Sequence, residues 1–140
     1  MGFTYLDHTA DIAVRAWGGT VGEAFAEAAR AVSGAMVGLE CVRPTTSRAF
    51  TLRGGSLELL LVDWLAALVA EKDVSGLVFS RFDVDIEEDG PEVALHASAW
   101  GESLDPTRHE PRLEVKGISL LGLRVRVDGG TWFAEFVADV

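Results

Sequence analysis

Phe82-Asp-Val-Asp-Ile-Glu-Glu-Asp-Gly-Pro-Glu-Val-Ala-Leu-His-Ala-Ser-Ala-Trp100 decides the fold. Phe82, Val84 and Ile86 alternate with Asp83, Asp85 and Glu87. After the turn signal Glu88-Asp89-Gly90-Pro91 the alternation resumes, with Val93, Leu95, Ala97 and Ala99 against His96, Ser98 and Trp100. A period of two sends successive side chains to opposite faces, so each arm reads as a strand with one dry and one wet face. The short polar turn joins the arms antiparallel, as a hairpin. A second hairpin follows the same rule: Leu123, Val125 and Val127 are opposed by Arg124 and Arg126, then comes Asp128-Gly129-Gly130, then a strand from Trp132 to Val140.

Working back towards the N-terminus, two segments carry the helical period instead. Thr20 and Glu23 form a Thr-x-x-Glu capping box. Val21, Ala24, Phe25, Ala28, Val32 and Met36 then line one helix face, with Glu23, Glu27 and Arg30 on the other and a stop expected at Gly34 or Gly38. Ser56 is an N-cap for the second helix, whose Leu57, Leu60, Leu61, Trp64, Leu65 and Leu68 are dense enough to bury most of it before Gly76 ends it. Ser47 to Arg53 reads as a short strand, and Leu6 to Trp17 as a longer one ending at Gly18-Gly19. Hairpins outnumber crossovers, and two helices are too few to cover both faces of a parallel sheet. The expectation is an α+β, two-layer fold, mainly antiparallel, with two helices packed on one face.

The chain is 140 residues long with 49% hydrophobic residues, which fits one domain spanning 1-140. No apolar run reaches the roughly 18 residues of a bilayer span, and the start lacks a signal-peptide pattern, so a cytoplasmic protein is expected. One cysteine, Cys41, excludes an internal disulfide and a multi-cysteine zinc site. Asp+Glu number 22 against 12 Lys+Arg, a net charge of −10, which repels phosphodiester backbones and favours cations and basic protein surfaces as partners.

Candidate chemistry gathers at the two ends. Asp7-His8-Thr9-Ala10-Asp11 offers two carboxylates and an imidazole to a metal, or equally a strand entry whose side chains bond their own backbone. At the other end stand Asp139 and the α-carboxylate of Val140. If that strand pairs near the first, Asp11, Asp139 and the terminal carboxylate converge into an oxygen cage for calcium or magnesium. The acidic run from Asp83 to Glu92 lacks EF-hand order and reads as the wet face of a strand with its turn. Gly54-Gly55-Ser56 reads as a loop and helix cap. No Ser/His/Asp or Cys/His set stands out as a nucleophile with its base.

Asp7-His-Thr-Ala-Asp11-Ile, Ala16-Trp-Gly and Thr20-Val-Gly-Glu-Ala-Phe-Ala-Glu-Ala-Ala29 resemble the opening signature of the archeases. His109 through Lys116, with Leu113-Glu-Val-Lys-Gly-Ile, resembles the family's later His...Thr-Glu-Val-Lys-Ala segment, and Asp139-Val140 its terminal Asp and aliphatic residue. The resemblance implies a protein cofactor of the tRNA-splicing RNA ligase RtcB, promoting its guanylylation and multiple turnover and not itself an enzyme. It also implies a divalent cation, seen as calcium, held at Asp11, Asp139 and Val140, with Lys116 as a partner contact. Two departures stand out: Ser119-Leu-Leu replaces the family's Thr-Tyr-His, and Ser56 replaces an acidic residue. The competing expectation is a small metal-dependent hydrolase in which Asp11 and Asp139 hold the ion and His8 is the general base.

Overall fold

The computed structural model describes residues 1–6 and 11–140. Seven strands form two antiparallel sheets. Sheet A has the order β1-β2-β7-β6, built from β1 (Gly2–Leu6), β2 (Ile12–Gly18), β6 (Gly117–Asp128) and β7 (Thr131–Asp139). Sheet B has the order β3-β5-β4, built from β3 (Thr46–Gly54), β4 (Leu77–Asp89) and β5 (Glu92–Ser103). The helices are α1 (Val21–Met36), α2 (Leu57–Ser75) and a single turn, α3 (Pro106–His109). This is the expected α+β class. No helix among the described residues is long and apolar enough to cross a membrane.

Each sheet turns one apolar face inward, and α1 and α2 fill the space between. Val14, Ala16, Ala134, Phe136 and Ala138 come from sheet A. Val84, Leu95, Ala97 and Ala99 come from sheet B. All join one cluster with Phe25, Ala28 and Val32 of α1 and Leu60, Leu61, Trp64, Leu65 and Leu68 of α2. Each helix therefore meets strands of both sheets. That explains why the leucines of α2 are so dense: a helix faced on two sides needs more than one apolar stripe. Trp64 packs edge-on against Phe50 and Phe82, and its Nε1–H donates to the Phe25 carbonyl at 3.1 Å, so the one polar atom of the ring is satisfied in the core.

Both helix starts follow the expected caps: Thr20 Oγ1 accepts from Glu23 N–H and Ser56 Oγ from Leu59 N–H. Four expectations need correction. The stretch from Leu6 to Trp17 is not one strand, because Leu6 ends β1 and pairs with Ala13 of β2. Helix α1 runs through Gly34 and ends at Met36, with Val37 as cap. Glu27, expected on the wet face, is only 5% exposed, because α1 is flanked by sheet A and by the β4 edge of sheet B; Arg30 Nη1 donates to its carboxylate at 3.0 Å. The last hairpin begins six residues before Leu123, at Gly117, and its two strands lose register between Ser119 and Arg124.

Candidate functional site at the open end of sheet A

Strands β2 and β7 are neighbours in the middle of sheet A, paired from Gly18–Trp132 to Ile12–Ala138. Buried Val14, Ala16, Ala134 and Phe136 point to the core, so Ala13, Arg15 and Trp17, with their partners Val137, Glu135 and Phe133, point outward. Asp11 directly precedes Ile12 at the start of β2 and Asp139 directly follows Ala138 in β7, so the pairing of Ile12 with Ala138 brings the two aspartates to the same end of sheet A. On the other flank Asp139 pairs with Gly117, and Lys116 N–H donates to the Asp139 carbonyl at 2.8 Å. The fold thus brings Asp11, Asp139, Val140 and the backbone of Lys116 to one end of one sheet. The Lys116 side chain is exposed there. Asp7 and His8, expected near this end, lie outside the described residues.

What carries Lys116 to this place is a strap, residues 110–116, that crosses the C-terminal end of α1. The last carbonyls of a helix lack intrahelical partners. Here Arg112 N–H donates to the Met36 carbonyl at 2.8 Å and Leu113 N–H to that of Ala35 at 3.1 Å. Val115, 3% exposed, plugs the strap into the core. Under the strap lies a cavity of about 410 Å³ lined by Tyr5, Leu6, Asp11, Ile12, Gly34, Ala35, Arg112 and Leu113. Tyr5 donates its hydroxyl to the Ala31 carbonyl at 2.9 Å; burial pushes its pKa up, against the pull of the Arg112 charge.

The strap is bolted at its other end by side chains whose pairing the sequence did not show. His109, named in the sequence only as the start of the family-like segment, is 1% exposed. Asp105 N–H donates to its Nδ1 at 2.7 Å, and its Nε2 lies 3.0 Å from Glu102. Glu102 also accepts both Arg108 Nη1 and Nη2, at 2.9 and 2.5 Å, and Arg43 N–H at 2.6 Å. The Arg108 bonds first, then the Arg43 N–H, outweigh partial burial and hold this carboxyl far below the usual range. On the outer face of sheet A, Glu135 accepts from Arg15 Nε at 3.0 Å and Arg126 Nη2 at 3.1 Å. Burial raises its pKa, but the two arginines together bring it below normal.

The donors at the open end suit a hard cation. Carboxylate and main-chain oxygens, the donors that Asp11, Asp139 and Val140 carry to this end, are ligands of the kind calcium and magnesium take. The Asp139 carboxylate makes no ion pair or side-chain hydrogen bond among the described residues. No three His, Cys, Asp or Glu side chains gather at metal-holding distances among the described residues, so a cation held here would need main-chain oxygens as well.

An α+β protein of two antiparallel sheets wrapped on two helices, with clustered acidic oxygens at one sheet end, defines the class. Residues 3–140 match the model of the Archease protein family (MTH1598/TM1083), and the chain belongs to that family. It is 39% identical to the archease of Aeropyrum pernix over 140 residues, covering 99% of this chain and 97% of that one. With the archease of Pyrococcus abyssi it shares 37% identity over 137 residues, 97% and 96% of the two chains. Its fold is similar to the solution structure of Methanobacterium thermoautotrophicum protein 1598, with a TM-score of 0.88, 30% identity and 99% of each chain covered. It is also similar to the crystal structure of an archease and possible chaperone from Thermotoga maritima, with a TM-score of 0.62, 20% identity and 96% and 94% coverage.

Proposed function

We propose that this archease is a cytoplasmic, non-enzymatic activator of an RtcB-type tRNA-splicing RNA ligase, promoting the ligase's guanylylation and multiple turnover while holding a divalent cation, calcium foremost and magnesium or manganese as substitutes. Family membership over residues 3–140 supports the partner, and the pairing of Ile12 with Ala138, which carries Asp11 and Asp139 to one end of sheet A, supports the cation and carries the reading. The cation would supply positive charge that lets clustered carboxylates share one small volume. Asp11, Asp139 and Val140 provide the oxygens. The Lys116 N–H, donating to the Asp139 carbonyl, fixes the end of β7, and its exposed ammonium is free to meet an anionic group on the ligase. With a net charge of −10 the protein meets the ligase's basic surroundings and does not itself carry the RNA.

The test is reconstitution. Catalytic amounts of the protein, mixed with its own organism's ligase, GTP and a divalent metal, raise guanylylation and turnover; no effect with any metal sinks the reading. Asp11→Ala and Asp139→Ala each abolish stimulation and calcium binding while the circular dichroism spectrum persists. Lys116→Ala lowers stimulation and leaves calcium affinity unchanged.

A further inference from the structure

We propose that Leu120 and Leu121 form an apolar anchor that seats this protein on the ligase, beside the carboxylate end of sheet A; the partner's identity rests on the function proposed above. Strand β6 is an edge strand that keeps register with β7 at Gly117–Asp139, Ile118–Ala138 and Ser119–Val137, and again from Arg124–Glu135. Between these pairs four residues, 120–123, face the single Phe136, so three are surplus and the strand must bulge. The bulge has built-in supports. Gly122 takes φ +77°, which an L side chain rarely adopts, and Ser119 Oγ accepts Leu121 N–H at 3.1 Å. Its shape turns Leu123 onto the core and leaves Leu120 67% and Leu121 82% exposed.

This exposure is not forced by a shortage of core, since Leu60, Leu61, Leu65, Leu68 and Leu95 of the same chain are almost completely buried. Two adjacent leucines held in water by a shaped bulge forgo the free energy of burial until something covers them. Their position says what covers them. Ser119 ends the cross-strand row Leu6–Ala13–Val137–Ser119; the row Ile12–Ala138–Ile118 comes next, and beyond it Asp139 pairs with Gly117 while Asp11 precedes Ile12. Exposed Leu6 stands at the far side of that row, so apolar groups flank the carboxylates on both sides. Apolar anchors around a polar centre exclude water from it on docking, the arrangement of interface hot spots.

Charge selects the occupant. A second copy would bring Asp11 and Asp139 against like charges at a net −10, and a nucleic acid would meet the same repulsion with no ring at the bulge to stack on. A protein with an apolar socket rimmed by Lys and Arg fits both features, which is the chemistry expected around the ligase's nucleotide and RNA sites.

The double variant Leu120→Ser/Leu121→Ser, compared with Leu120→Met/Leu121→Met, tests the anchor. Affinity for the full-length ligase is measured by interferometry in calcium, oligomeric state by sedimentation velocity, and calcium affinity and Tm as controls. The serine pair is expected to lose at least tenfold in ligase affinity, chiefly through faster dissociation, with calcium affinity and Tm kept. The methionine pair, still apolar, stays within about threefold of wild type. Ligase affinity of the serine pair within twofold of wild type overturns the anchor alone. A wild-type dimer that the serine pair breaks while ligase binding persists also overturns it, by assigning the bulge to a second copy. Failure of the wild type to bind the ligase at all overturns the functional reading and the anchor's partner with it.

Discussion

His109 holds one tautomer in this fold, because the Asp105 N–H already donates to Nδ1 and leaves Nε2 to carry the proton towards Glu102. Nothing in its sequence neighbourhood showed this: a histidine between Arg108 and Glu110 looks solvent-exposed until α3 folds it back on β5. Asp11 and Asp139 were easier to mark, since carboxylates at chain ends are visible in one dimension, whereas Glu102 sits in an alternating strand like any wet-face residue. Glu102 also carries a pH prediction. It and Glu135 titrate in the fold below their unfolded value of about 4.3, so the native state binds fewer protons than the unfolded one. Their stabilisation is complete above that value and is lost as pH falls through the lower folded values. Calorimetry across pH is expected to show Tm level from neutral to about pH 5 and falling below it. Glu102→Gln, which leaves Arg108 without its counter-ion, is expected to lower Tm at neutral pH by about 5 °C or more. It also flattens the acid limb; an acid limb as steep as wild type's would show that Glu102 does not carry it.

At the scale of elements, helix α1 lies so close to β4 that its first turn has no room for a side chain at Gly22. A Cβ there would sit 2.2 Å from the Val84 carbonyl oxygen, a backbone atom that cannot swing aside. Gly22→Ala is therefore expected to lift the helix from the strand, at about 1–3 kcal/mol, although alanine is the better helix former. Gly55→Ala, whose Cβ meets nothing within 4 Å, is the control and leaves Tm near wild type. Equal Tm values for the two variants would mean that the helix-to-strand approach is looser than drawn. The hairpins were legible because a period of two survives in one chain: β4 and β5 meet through Gly90-Pro91 where the turn residues stand. The division of β1 from β2 was not, because apolar residues at Leu6, Ile12 and Val14 keep the same parity across it. The bulge in β6 was not legible either, since surplus residues are defined only against the partner strand. Helix α1 outran its glycine stop for a tertiary reason: the Tyr5 hydroxyl and Leu39 crowd Gly34, so a small residue is wanted inside the helix.

For the whole molecule, the decisive step from sequence to site was topological. Asp11 and Asp139 are 128 positions apart in the sequence, and only the pairing of β2 with β7 brings them to the same end of one sheet. The chain ends marked the residues, but the pairing itself was a condition until the sheet order supplied it. Net charge acts at this scale too. A chain at −10 approaching a basic partner is drawn in by long-range attraction, whereas a contact closed over Leu120 and Leu121 is held by burial that salt barely weakens. The two contributions separate in kinetics. Raising NaCl from about 0.05 to 0.5 M shortens the Debye length from roughly 14 to 4 Å, which is expected to cut the association rate with the ligase by about tenfold or more. The dissociation rate should stay within about twofold, because the apolar contact persists once formed. Stopped-flow mixing over a salt series reads both. An association rate indifferent to salt would remove electrostatic steering from docking, and a dissociation rate that climbs in step with salt would mean that charge pairs, not the leucines, hold the complex.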